Sequence, residues 1–178
     1  MNSQNPIIVH SKELELLQLE PKVVEHILKT REILIDAENS VLGRLATHVA
    51  KLAMLGFKVH VINVEKAVVS GDKKTVVDSY KLLLEVKTHK NPYRHAIHRP
   101  RHPINIFKKS VKLMLPKHCR SRFKILKNVK AYIGVPQEFK DKPIIKILDC
   151  DASYLKRRKI VPVSVIAKEL GWKGVVKP

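Results

Sequence analysis

Residues 32–64 read EILIDAENSVLGRLATHVAKLAMLGFKVHVINV, and their spacing settles the class of fold. Ile33, Leu34 and Ile35 form an unbroken apolar run, the mark of a short strand covered on both faces. Leu42, Leu45, Ala46, Val49, Leu52 and Ala53 then recur at helical spacing, with Asn39 or Ser40 placed to cap the helix and Gly56 to close it. Arg44, His48 and Lys51 share the opposite side. Val59 to Val64 is a second apolar strand. A strand, a helix and a strand joined by connections this short make a βαβ unit, which commits the chain to an α/β fold with a parallel sheet.

Working outward from this unit, Ala67 to Ser70 predicts a third strand ending at Gly71, and Thr75 to Lys87 a helix with Val76, Tyr80, Leu83 and Leu84 inward. About fifteen residues follow in which Asn91, Pro92, Pro100 and Pro103 interrupt regular structure, giving a long basic loop. Ile104 to Leu115 restores helical spacing and Pro116 stops it. A short helix near 121–126, strands at 129–133 and 144–148, and a helix around 164–170 complete the reading. On the other side, residues 11–29 hold two short helical patterns around Pro21. We read residues 1–30 as a helical N-terminal extension and 31–178 as a single domain.

Charge is the second strong signal. The chain carries 35 Lys and Arg against 16 Asp and Glu, a formal charge of +19, and its isoelectric point is near 10.1. From Val86 to Gln137 it runs 52 residues without an acid while holding 14 Lys or Arg and 5 His. At the average acid content several carboxylates would fall in such a window. Folded surfaces normally mix charge of both signs, because a one-sign field repels itself, so the blank implies a partner that supplies the negative charge. A phosphate backbone is the natural candidate. By contrast residues 1–30 are near neutral, with 3 basic and 4 acidic side chains.

The candidate backbone-gripping residues fall into groups. The loop supplies Arg94, His95, His98, Arg99, Arg101 and His102, the following helix face Lys108, Lys109 and Lys112, and the next turn Lys117, His118, Arg120, Arg122 and Lys124. Guanidinium groups grip phosphate with two parallel hydrogen bonds and lysines add mobile charge. Arg44, the pair Lys73 and Lys74 at a strand-to-helix junction, and the run Lys156, Arg157, Arg158, Lys159 join them. The basic loop and helix together make residues 87–130 the expected RNA-binding segment.

Other chemistries fit less well. His95, His98 and His102 lie close in sequence, but a divalent cation among so many guanidinium groups, with no carboxylate or paired thiolate, is electrostatically disfavoured. Ser70-Gly71-Asp72-Lys73-Lys74-Thr75 lacks the first glycine and the spacing of a nucleotide-binding phosphate loop, though one backbone phosphate could rest on it. No carboxylate forms a catalytic motif with a His or Cys, so neither an active site nor a cofactor is expected. With only 9 Phe, Trp and Tyr in the chain, single-strand stacking is a poor fit, and folded RNA held by backbone and shape is the better ligand. Cys119 and Cys150 form no metal or disulfide pattern and point to a reducing interior. No 18-residue apolar run or signal peptide is present, so no membrane association is expected. An RNA-modifying enzyme docking through the same surface and a DNA-compacting protein are the rival readings.

Six short motifs then converge. Ile35-Asp36-Ala37, Leu42-Gly43-Arg44-Leu45-Ala46, Ser70-Gly71 with Lys73, Arg101-x-Pro103 with Ile106-Phe107, Met114-Leu115-Pro116, and Tyr132-x-Gly134-Val135-Pro136 occur in one order and spacing. In these the chain resembles the universal large-subunit ribosomal protein thirteen family over about residues 31–172. Glu169-Leu170-Gly171-Trp172-Lys173 is similar to the archaeal and eukaryotic branch, and the lack of a long basic C-terminal helix to the archaeal one. The resemblance implies a three-layer α/β/α sandwich around a small, mainly parallel sheet of about four strands. It also implies a non-enzymatic protein of the cytoplasmic large ribosomal subunit that binds 23S-type rRNA through the segment from Arg94 to Lys124, beside neighbouring ribosomal proteins and without homo-oligomers. Leu113 and Ser121 stand where the family usually has glycine.

Overall fold

The computed structural model describes residues 7–9, 30–86, 90–95, 99–117, 121–155 and 159–174. The helical patterns read in residues 11–29 lie outside them. The first described element is a short strand, β1 (Ile7–Val9), within the segment read as an extension. The βαβ unit follows as expected: β2 (Glu32–Asp36), helix α1 (Leu42–Met54) and β3 (Lys58–Ile62), with Ile33 opposite Val59 and Ile35 opposite Val61 in a parallel ladder. Then come β4 (Val68–Ser70), α2 (Lys73–Glu85), a helical turn at Pro92–His95, α3 (Pro103–Met114) and α4 (Arg122–Lys127). Strands β5 (Val129–Ala131), β6 (Ile145–Ile147) and β7 (Ile160–Pro162) and helix α5 (Val163–Glu169) finish the chain.

The main sheet has the order β1-β6-β2-β3-β5, and its pairings are parallel. Four of its strands come from residues 32–147, and β1 adds a fifth at the edge beside β6. Because side chains alternate along a strand, Ile33, Ile35, Val59, Val61, Val129, Ala131, Ile145 and Ile147 all point to one face. There they meet Leu45, Val49, Phe107, Val111 and Ile166 from the helices in a single buried cluster. Phe107 is fully buried, and covering a side chain of that size stabilises the fold by about 1.5–3 kcal/mol.

The opposite face is smaller and more polar. Leu34, Ile62 and Phe139 form its apolar centre, with Tyr132 and Ile144 against them. His60 lies there, its ring 5.9 Å from that of Tyr132 and nearly parallel to it, and 5.0 Å from Phe139. Its Nδ1 is 3.2 Å from the Tyr132 hydroxyl. Burial pushes the His60 imidazole below its ordinary value, and only Glu32 opposes this among the charged groups facing it.

Two local expectations need correction, the helix cap and the irregular basic loop, and the third strand finds a partner that the sequence did not indicate. Neither Asn39 nor Ser40 caps α1: Ser40 is held in a bridge to Asp151 and Val41 in one to Val68, so the helix begins at Leu42 without a side-chain cap. Asn39, in a left-handed conformation with φ of 56°, instead donates its amide to Asp151 at 2.7 Å. The third strand does not join the main sheet. Asn63, also left-handed and hydrogen-bonded to Asp36 at 2.9 Å, starts a 3-10 turn at Val64–Lys66 that carries the chain away, and β4 pairs antiparallel with β7, a strand too short to show a period in the sequence. Finally, the basic loop contains the helical turn at Pro92–His95, where irregular backbone was expected.

Candidate nucleic-acid interface

The acid-free window folds around α3. Pro103 occupies its first turn, and the peptide N–H of Ile104 donates to His102 Nδ1 at 3.3 Å, so His102 is the N-cap of the helix. The His102 ring also meets the edge of Trp172 at 5.7 Å, which ties the helix start to the C-terminal turn after α5. The apolar side of α3 enters the core, and Lys108, Lys109 and Lys112 lie half-buried along its flanks. The α/β scaffold therefore fixes where these ammonium groups emerge.

At the other end of α3 the chain turns into α4. The Arg122 guanidinium donates to the Lys112 carbonyl through Nε at 3.1 Å and through Nη2 as well. This satisfies one of the carbonyls a helix leaves open at its C-terminus. Lys112 Nζ lies 5.0 Å above the ring of Phe123, itself an exposed side chain. Lys117 and Lys124 are exposed on the same turn and helix. Arg122 and Lys112 are thus joined, and α3 and α4 present their cations as one unit.

The distribution of ion pairs is informative. Among the described residues, the ion pairs formed by lysine use Lys58, Lys66, Lys73, Lys81, Lys142, Lys146 and Lys159, all outside residues 86–137. Lys66 is the tightest, 2.8 Å from Glu38, and that hydrogen bond raises its pKa above the usual lysine value. Inside the window the described cations have no such carboxylate.

The remaining sequence-predicted residues divide three ways. Arg94, His95 and Arg101 are exposed, as is Lys74. Others are engaged within the protein. Lys73 lies 3.6 Å from Glu169, and Lys159 lies 3.1 Å from Asp72. Arg44 donates to the Asp149 carbonyl at 3.3 Å in a recess shared with His48 and Tyr154. Burial, with help from Lys51, pushes the His48 imidazole down. Arg99 turns its Nε into a buried position where no described residue accepts from it. His98, His118, Arg120, Lys156, Arg157 and Arg158 lie outside the described residues.

The motif at Ser70-Gly71 has a packing explanation. Gly71 adopts φ of 143°, its N–H donates to the Lys159 carbonyl at 2.9 Å, and a Cβ there would lie 2.9 Å from Val76 Cγ2. Asp72, Asp78 and Glu169 line the recess at the start of α2 together with Lys73, Lys74 and Lys81, so the junction is of mixed charge. Conversely, Lys90, Lys127 and Lys130 are exposed cations of the window that the candidate set omits. The absence of acids around them was the available signal. Among the described residues no group of three or more His, Cys, Asp or Glu is disposed to hold a metal ion. Burial pushes the thiol of Cys150 up to about 12, which makes it a core side chain and not a nucleophile. Among the described residues no helix is long and apolar enough to cross a membrane.

An α/β core with a helix pair whose described cations meet no carboxylate is the build of a basic scaffold protein. The family model for ribosomal protein L13 matches residues 30–138, and the chain belongs to that family. The large ribosomal subunit protein uL13 of Saccharolobus solfataricus is 54% identical over 142 residues, covering 80% of this chain and 94% of that protein. Its counterparts in Sulfolobus acidocaldarius, 48% identical over 139 residues (78% and 93%), and Aeropyrum pernix, 40% identical over 150 residues (84% and 96%), are similar over nearly their whole length.

Proposed function

We propose that the chain binds large-subunit rRNA through the acid-free segment, with α3 and α4 as its rigid centre. As a member of the L13 family, whose matched relatives are large-subunit proteins, it is a structural ribosomal protein and not an enzyme. Arg94, His95, Arg101, Lys108, Lys109, Lys112, Lys117 and Lys124 make up the described part of the surface, and His98, His118 and Arg120 fall between them in sequence. Lys90 and Lys127 extend it. Arg122 and His102 hold this surface in shape. Arg44, Lys74 and the run from Lys156 to Lys159 would add peripheral contacts, weaker where intramolecular carboxylates already compete. Neighbouring ribosomal proteins are the expected companions, with the complex residing in the cytoplasmic large subunit.

The observation that carries this reading is the segregation of ion pairs: among the described residues every lysine that has a carboxylate partner lies outside the window, and the cations inside it have none. Counter-ions released from the RNA backbone then dominate binding. With about 6–10 phosphates engaged, affinity for large-subunit rRNA fragments falls by roughly 10³ to 10⁵ between 50 and 200 mM salt. Titration of the purified chain with transcribed fragments at several salt concentrations measures this slope. A flat salt response would remove backbone contact as the main source of affinity.

A further inference from the structure

A second surface of different character lies beside the basic one. Between α2 and α3 runs a groove of about 520 Å³ walled by Tyr80, Leu83, Arg99, Ile106, Lys109 and Leu113. The two helices bordering it also expose large aliphatic side chains, with Leu82 64% and Leu113 58% exposed and Val86 and Met114 about half so. Leu83 from α2 and Leu113 from α3 both line the groove and are both exposed, and aliphatic surface rimmed by charge marks a protein contact. Leu113 sits in a regular turn of α3, so its side chain adds to the groove wall without disturbing the helix.

The charges in the groove select the partner. Arg99 and Lys109 are the charged residues among its described lining, and Arg99 Nε is buried with no acceptor among the described residues. A buried donor left unpaired is costly, and a carboxylate is its strongest neutral-pH protein partner. RNA fits the groove poorly, because aliphatic side chains offer phosphate no donors and bases stack on aromatic faces. Among the described lining residues Tyr80 is the one aromatic, and it is half-buried.

We infer that the α2–α3 groove docks a segment of another large-subunit protein, one that presents aliphatic side chains to Leu83 and Leu113 and a carboxylate to Arg99. The inference rests on the reading of the chain as a large-subunit protein, and it gives the molecule two faces: cationic for RNA, aliphatic for a protein neighbour. A short amphipathic helix with anchors three or four residues apart and one Asp or Glu meets the requirement.

The test uses the full chain assembled into large subunits, with photoreactive p-benzoylphenylalanine in place of Leu113 or, independently, of Leu83. Both side chains are exposed, so neither replacement needs the core to repack. A third probe in place of Lys124 reports on the RNA face in the same particles. Irradiation and mass spectrometry are expected to join both groove probes to one peptide of another large-subunit protein that contains aliphatic residues and an Asp or Glu, while the Lys124 probe joins rRNA. Arg99→Gln is expected to lower the groove crosslink by about tenfold, the effect of losing one charge-assisted hydrogen bond. Crosslinks from the groove to rRNA, to residues 1–30 of the chain itself, or to nothing would overturn the docking proposal while an rRNA crosslink at Lys124 left the RNA reading standing. An unchanged groove crosslink with Arg99→Gln would overturn the carboxylate. Exclusion of the chain from large subunits would overturn both readings.

Discussion

Two regions of this protein are rich in lysine, and they use it in opposite ways. Around the β4–β7 pair, Lys73 and Lys81 share Glu169 and Lys159 meets Asp72, so the charge is neutralised inside the fold. Along α3 and α4 the cations face no acid among the described residues, and their anchors there are a ring under Lys112 and a carbonyl under Arg122. Basic composition alone therefore does not define a binding surface. What distinguishes the two regions is whether the fold supplies the counter-charge.

Charge reversal gives the widest contrast between them. Arg101→Glu, Lys108→Glu and Lys112→Glu combined are expected to weaken rRNA binding by about 3–6 kcal/mol, roughly 10² to 10⁴-fold, since charge-assisted contacts are lost and repulsion is added. Because these side chains leave the core intact, the thermal midpoint should move little. The matching triple at Lys73, Lys74 and Lys81 should change RNA affinity far less and lower stability instead, by placing further negative charge beside Glu169. Comparable losses of affinity for both triples in a binding titration would erase the distinction.

Arg122 sharpens the comparison, because it lies in the acid-free region yet works within the fold. Arg122→Met removes the donors to the Lys112 carbonyl while keeping much of the side-chain bulk, and is expected to cost about 1.5–3 kcal/mol of stability as a lost charged hydrogen bond. Chemical denaturation measures this. If Arg122→Met lowers RNA affinity with no loss of stability, its role is direct phosphate contact and not support.

The α/β class was legible because β2, α1 and β3 obey their periods without interruption, and burial of Ile35, Leu45, Val49, Val59 and Val61 follows from that pattern. The β4–β7 pair was not, because three residues are too few to show alternation and the departure from the sheet depends on Asn63 accepting a left-handed backbone, which the residue type permits but does not require. The candidate interface was legible as a composition. Which of its cations are already engaged was not: Arg122, His102 and Arg99 look alike in sequence to Arg101 and His95, and only the three-dimensional neighbours separate a helix cap or groove wall from a free side chain. Pairs such as Lys159 with Asp72, 87 residues apart, carry no local signal at all.

Histidine extends the same distinction between buried and exposed polar groups. His48 and His60 are both held below the ordinary imidazole value of 6.5, mainly by burial. Folded, they bind fewer protons than in the unfolded chain, so their contribution to stability is fully present above 6.5 and is lost as pH falls through the folded values. Stability measured from pH 7 to pH 5 should therefore decline, and His60→Gln should flatten part of that decline. An unchanged slope in the variant would place the pH dependence elsewhere.

The smallest expected effect tests the internally neutralised region itself. Lys159 lies 3.1 Å from Asp72, but both side chains are more than half exposed, and pairs of this kind contribute about 0–1 kcal/mol in water, less at high salt. Lys159→Gln should accordingly change stability by less than about 1 kcal/mol. It leaves the Asp72 carboxylate free beside Lys73 and Lys74, whose ammonium groups it can then attract. If the pairing in this region is what keeps its lysines from RNA, Lys159→Gln should leave rRNA affinity unchanged within a factor of about two, because a removed lysine there cost no phosphate contact. A loss as large as that of a single window lysine would mean that Lys159 exchanges Asp72 for phosphate on binding. The boundary between the two regions would then be set by the RNA and not by the fold.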